Sequence, residues 1–339
     1  MVKNSRRKKK AREAAASNGT NYTTELRAQE RQKTAPELPE WANFPTPGSA
    51  GFAEAIDLAK NGVFRLGVTA NNGFLDWDLN EQPHGLISGR AGAGKTIALN
   101  TVVAYGLALP DDFEVTVCDS HWTEYDWAAP HLATEHYAGT AAEIHRAVGL
   151  VETRLNKTLA LLDKTGSRSL AELREKFRTD PTFAGEHGPS PKRTLLAIDS
   201  LTSVLATDHS NDFKSELQRE THRRLETIEQ LGRKAGVHLI CTTQRLDRKL
   251  LGPTLHAMDA FRLGIGPMDS YNATMLFGDT EHVHGWGTRL PSGRAVTRDS
   301  HGYREAQLYY VPARTNPDLD PLFLRGPSAL DVVSYCFDG

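Results

Sequence analysis

The chain has 339 residues, 39% of them hydrophobic and 24% charged, and a formal net charge of −2. It is long enough to bury a sizeable core, and its composition is that of an ordinary soluble globular protein. Near-neutrality excludes a globally basic nucleic-acid coat, and no apolar run reaches the roughly 20 residues needed to cross a bilayer. The three cysteines, Cys118, Cys241 and Cys336, lack metal-ligand spacing, so the expectation is buried, reduced thiols in a cytoplasmic protein.

Residues 1–60 read as a disordered basic tail and linker. Lys3, Arg6, Arg7, Lys8, Lys9, Lys10 and Arg12 precede the first acid, Glu13. No apolar core follows them, which argues against a signal peptide. A polar stretch and then Pro36, Pro39, Pro45 and Pro47 follow, and such sequence buries too little apolar surface to offset its ordering entropy. The tail suits non-specific contact with DNA phosphates or peripheral contact with an anionic membrane surface, or it is a solubilising arm.

From about Gly67 strand-like and helix-like segments alternate. Gly85 to Ser88 is a short apolar strand entering a glycine loop, and Thr96 to Leu107 reads as the helix after it. Phe113 to Cys118 is a second strand, ending at Asp119. In Ala141 to Lys164, Ile144, Val148, Val151, Leu155, Leu159 and Leu162 recur at steps of four and three, which places them on one helix face. Asp180 to Arg193 reads as a loop, and Thr194 to Ile198 as a buried parallel strand. Leu217, Leu225, Ile228 and Leu231 mark another amphipathic helix. Strands follow at Val237 to Thr242, Phe261 to Ile265 and Gln307 to Val311. The alternation predicts an α/β fold with a mainly parallel sheet flanked by helices, spanning 61–315, with 316–339 as a C-terminal extension.

Gly89, Arg90, Ala91, Gly92, Ala93, Gly94, Lys95 and Thr96 have the spacing of a phosphate-binding loop. Glycines let consecutive backbone N–H groups turn inward to phosphate oxygens, and the following helix adds its positive end. ATP and Mg²⁺ are the expected ligands, with Lys95 on the β- and γ-phosphates and the Thr96 hydroxyl on the cation. Asp199 ends the strand Leu195 to Ile198 and is the second candidate Mg²⁺ ligand, since a buried terminal acid needs charged company. Ser200 follows where many such ATPases carry a water-activating glutamate, so binding is better supported than hydrolysis. Glu124, beyond the second strand, compensates only if it folds toward the nucleotide. Gln244, after Cys241 to Thr243, is placed to sense the γ-phosphate, which makes Lys95, Asp199 and Gln244 the candidate catalytic set. The histidines, His84 and His121 among them, show no metal-ligand pattern.

Together these segments resemble the FtsK/SpoIIIE family of DNA-translocating ATPases. The resemblance runs from about 67 to 311. It includes Pro83 to Gly89 leading into the loop, Asp119, Pro130 to Glu135, Glu152 with Arg154 and Leu155, and Gly166 to Leu170. Gly236 to Ile240, Thr243 to Arg245 and Phe261 to Leu263 complete it. It implies a RecA-like P-loop NTPase core that assembles as a homo-hexameric ring around double-stranded DNA. Arg154, Arg168 and Arg262 are then candidates to contact a neighbour's nucleotide, and Lys164 to Arg168 and Arg245 to Lys249 are basic segments that suit a pore. The pattern departs at Ser200, in having no transmembrane helices, and in leaving too few residues after Val311 for a sequence-reading winged helix. A compact translocase of plasmids, integrative elements or phages fits best. A protein-secretion ATPase and a non-hydrolysing ATP-binding scaffold are the alternatives.

Overall fold

The computed structural model describes residues 12–13, 15–16, 22–23, 38–120, 124–205, 212–246, 258–278, 293–299, 302–314 and 326–338. The basic run Lys3 to Lys10, the end of the segment Arg245 to Lys249, and His121 lie outside them. Eleven strands form one sheet in the order β3-β2-β11-β10-β9-β4-β8-β7-β5-β6, with β1 (Ala42–Asn43) paired to β11. The strands are β2 (Val63–Thr69), β3 (Gly73–Asp78), β4 (His84–Gly89), β5 (Phe113–Asp119), β6 (Tyr137–Ala138) and β7 (Arg193–Asp199), then β8 (Val237–Thr243), β9 (Ala260–Ile265), β10 (Arg294–Asp299) and β11 (Gly302–Tyr310). The run from β9 through β4, β8, β7 and β5 to β6 is parallel, whereas β3, β2, β11, β10 and β9 pair antiparallel.

Helices cover both sheet faces, which explains the unbroken apolar runs of the central strands. Successive strand residues divide between two cores. Ile87, Leu195 and Ala197 face one side, shared with α1 (Ala50–Lys60), α2 (Lys95–Ala108) and α9 (Ala329–Asp338). Leu86, Leu196 and Ile198 face the other, shared with α3 (Ala141–Thr165), α6 (Leu201–Leu205), α7 (Asp212–Ala235) and α8 (Ser270–Phe277). Two short helices, α4 (Leu170–Thr179) and α5 (Phe183–His187), join α3 to β7. The α3 stripe is buried as expected apart from Leu159, which is partly buried. Cys118 and Cys241 are buried, and Cys336 is half-buried.

Three sequence expectations give way here. The segment before residue 61 was expected to be disordered, yet it contains α1. Ser49 Oγ accepts the Phe52 N–H at 3.2 Å as an N-cap, and Phe52, Ala55, Ile56 and Ala59 form a helical stripe against the core. The expected loop Asp180 to Arg193 includes α5. Leu231, read as core-facing on α7, is 44% exposed. Among the described residues no helix is long and apolar enough to cross a membrane.

Candidate nucleotide site

Strand β4 delivers the glycine loop to the carboxyl edge of the sheet. Gly89 packs so closely on β9 that a Cβ there would lie 2.5 Å from the Ile265 carbonyl oxygen. The chain then turns through Gly92 at φ +71° and Gly94 at φ +110°, left-handed values that favour glycine. Space above Gly92 is open to 4 Å, and Arg90, Ala91 and Gly92 are exposed. Gly94 caps α2 without a side-chain bond, so the first N–H groups of that helix remain available to an anion. The inner wall of the loop is fixed by the Gly293 N–H, which donates to the Ala93 carbonyl at 3.0 Å.

Lys95 opens α2 and is only 7% exposed. Its ammonium donates to the Arg90 carbonyl at 2.9 Å. Burial lowers its pKa, and Asp199 offsets part of that effect.

Asp199 lies at the end of β7, with β8 between it and the loop strand. The carboxylate collects hydroxyls. Thr96 Oγ1 donates to Oδ2 at 2.9 Å, the Tyr125 hydroxyl donates to Oδ2 at 3.3 Å, and the Thr242 hydroxyl donates to Oδ1. Two hard oxygen donors, from Thr96 and Asp199, therefore stand together below the loop. That pair suits Mg²⁺, which keeps water and substrate phosphate oxygens as its remaining ligands and does not need an all-protein cage. Accordingly, no cluster of three or more His, Cys, Asp or Glu side chains suited to a metal occurs among the described residues.

Ser200 is 8% exposed, with its hydroxyl 3.4 Å from the neutral hydroxyl of Ser203. Ser88 pairs with Thr243 in register, which brings the end of β8 beside the loop as expected. Gln244 follows, exposed. Sequence reasoning missed Tyr125 and Thr242. Thr242 stood inside the polar strand end that drew attention to Gln244, but nothing in local sequence marks Tyr125, which reaches Asp199 from a different loop.

The three candidate arginines separate clearly. Arg154 pairs with Glu114 at the opposite end of β5, and Arg262 donates to the Met258 and Leu276 carbonyls at 3.1 and 3.0 Å. Arg168 has a 93% exposed side chain that pairs with Glu172 at 3.2 Å.

Several known proteins are similar to this chain. The FtsK/SpoIIIE family model matches residues 57–248. The DNA translocase FtsK of Oceanobacillus iheyensis is 25% identical over 187 residues, 54% of this chain and 23% of the relative. That of Chlamydia muridarum is 23% identical over 261 residues, covering 73% of this chain and 32% of the relative. The chain thus spans no more than about a third of these relatives. Among solved structures, the pCW3 conjugation coupling protein TcpA, in a monomer form with ATPγS, superposes with a TM-score of 0.64 at 20% identity, covering 81% of this chain and 71% of that one. EssC from Geobacillus thermodenitrificans gives a TM-score of 0.63 at 16% identity, covering 89% and 51%. These structures establish the P-loop ATPase fold, and with the family match over more than half its length the chain belongs to the FtsK/SpoIIIE family.

Proposed function

We propose that this chain is the motor core of an ATP-driven double-stranded DNA translocase. The observation that carries the reading is the 2.9 Å bond between Thr96 and Asp199 beneath an open glycine loop. Phosphate loop and acidic strand end are thereby joined in one site, within a family named for DNA translocases.

In this reading the backbone from Gly89 to Thr96 cradles the ATP phosphates and Lys95 takes the β- and γ-oxygens. Thr96 and Asp199 hold Mg²⁺, which neutralises charge on the phosphates, while Tyr125 and Thr242 fix the Asp199 carboxylate. Gln244 senses the γ-phosphate from the end of β8. Nucleotide then lies where a homo-hexameric ring would place subunit boundaries, and the exposed Arg168 is the arginine best free to reach a neighbour. Duplex DNA is held by phosphate contacts in the pore, without sequence readout. A cytoplasmic protein that moves plasmid, phage or integrative-element DNA fits this organisation.

ATP turnover of the full chain, measured with and without linear duplex DNA, tests the proposal. Strong stimulation by duplex is expected. Turnover indifferent to DNA would favour a secretion ATPase, and ATP binding without turnover would favour a scaffold, a reading that Ser200 keeps in play.

A further inference from the structure

The shape of the glycine loop is set from behind. Glycines at 92 and 94 free its backbone, so the chain alone does not fix where the phosphate-facing N–H groups point. Ala93 between them is 5% exposed and sits in a socket of close backbone. A Cβ on Gly266, just after β9, would lie 3.1 Å from the Ala93 Cβ, and one on Gly89 would lie 3.3 Å from it. The Gly293 N–H closes the socket by donating to the Ala93 carbonyl at 3.0 Å. The peptide between Ala93 and Gly94 is trans, so this bond holds the Gly94 N–H pointing the opposite way, away from the Gly293 wall.

Gly293, at φ +76°, is itself held at a junction. Its carbonyl accepts the Leu308 N–H at 2.9 Å, and the Arg294 carbonyl accepts the Gly266 N–H at 2.8 Å. Backbone at these two residues thus joins the loop, β9 and β11. The Arg294 guanidinium secures the same junction. Nε donates to Gln307 Oε1 at 3.1 Å, Nη1 to Glu305 Oε1 at 3.4 Å, and Nη2 to the Pro39 carbonyl at 3.0 Å. Its side chain is 13% exposed, and Gln307 is buried. A Cβ on Gly293 would lie 2.9 Å from Gln307 Nε2, which leaves the junction little room to shift.

We propose that Arg294 is a positioning residue for nucleotide binding, one that holds Gly293 against Ala93 and so keeps the phosphate loop in its binding shape before nucleotide arrives. This rests on the phosphate-loop reading of the site. Arg294 acts through Gly293 and does not itself touch the phosphates. Without the guanidinium, Gln307 and the Pro39 carbonyl lose their donor, and Gly293 is no longer pinned between β11 and the loop. The loop then holds its binding shape for only a fraction of the time, and apparent affinity falls by that fraction. Arginine suits the position because its planar fork serves three acceptors in different directions, whereas lysine offers a single ammonium.

Titration of the full chain with a fluorescent ATP analogue, and displacement of that analogue by inorganic pyrophosphate, tests this. Both are read at a temperature where circular dichroism shows each variant folded, so that a loss of global stability alone does not move them. Arg294→Ala is expected to weaken both ligands by the same factor, at least about tenfold, as for a loop in its binding shape about a tenth of the time. Arg294→Lys keeps the charge and part of the hydrogen bonding, so its loss should be smaller, about threefold. It carries the test if Arg294→Ala does not fold. Arg298→Ala is the control. Arg298 lies near the far end of β10 and donates to the Phe277 carbonyl at 2.9 Å. Removing it should lower Tm and leave both affinities at the wild-type value. Wild-type affinity in the folded Arg294 variants, or an equal loss in Arg298→Ala, would overturn the proposal. So would a loss for the ATP analogue without one for pyrophosphate, which would put the effect away from the phosphates. The wider reading fails separately. Weaker binding in Arg294→Ala, in a protein whose turnover ignores duplex, supports the proposal and sinks the motor. A wild type that binds neither ligand sinks the site and the proposal together.

Discussion

Lys95 joins two facts that the sequence presents separately, a phosphate-loop position and a buried one. The residue is 7% exposed, and its ammonium donates a hydrogen bond to the Arg90 carbonyl. Burial works against its charge, and Asp199 works for it. Removing it should therefore leave the fold intact while removing the cation that the phosphates need. Lys95→Ala is expected to bind a fluorescent ATP analogue at least about tenfold more weakly, the effect of about 1.4 kcal/mol, with an unchanged circular-dichroism spectrum. Unchanged affinity in a folded variant would remove Lys95 from the site. Lys95 and Thr96 stood out by their spacing in the glycine loop, and Asp199 by ending a buried apolar strand, 103 positions from Thr96. Tyr125 did not, because its contact with Asp199 is made across 74 positions by tertiary packing.

At the scale of elements, β4 and β8 are joined by two buried histidines at the end of the sheet away from the loop. His84 Nδ1 accepts the Leu239 N–H at 3.0 Å, so Nε2 carries the proton and donates to the Glu229 carbonyl at 3.0 Å. His238 Nδ1 donates to the Pro83 carbonyl at 2.7 Å. Burial pulls the two pKa values down to about 4 and about 3 respectively. Both folded-state values lie below the ordinary 6.5, so the unfolded chain binds more protons in acid. Stability is thus fully present above about pH 6.5 and falls as pH drops through the window down to about 4. His84 should contribute a loss of about 3 kcal/mol across that window. Urea melts between pH 7.5 and 4.5 should show this, and His84→Gln should flatten the slope relative to wild type. Equal slopes would mean that His84 titrates normally.

The helices around this sheet were unequally legible. The α3 stripe follows from its period alone. The α1 stripe at Phe52, Ala55, Ile56 and Ala59 was obscured by the prolines before it, although Pro45 and Pro47 do no more than precede a capped helix start.

Across the whole molecule, the sheet divides into a half whose organisation the sequence announced and a half it did not. From β9 to β6 the strands are parallel, buried on both faces and punctuated by the loop and Asp199, so composition and period agree there. From β3 to β10 they pair antiparallel, with registers set by partners distant in the chain, such as Leu308 with Gly67. A single sequence carries little signal for such pairings. The site lies in the legible half, at the carboxyl ends of β4, β8 and β7. Coupling of this site to DNA is the central claim, and displacement of a third strand from a linear duplex measures it most directly. With ATP, the full chain should strip a triplex-forming strand from the duplex; with a non-hydrolysable analogue, or with Lys95→Ala, the strand should stay bound. Brisk ATP turnover with the third strand left in place would contradict translocation.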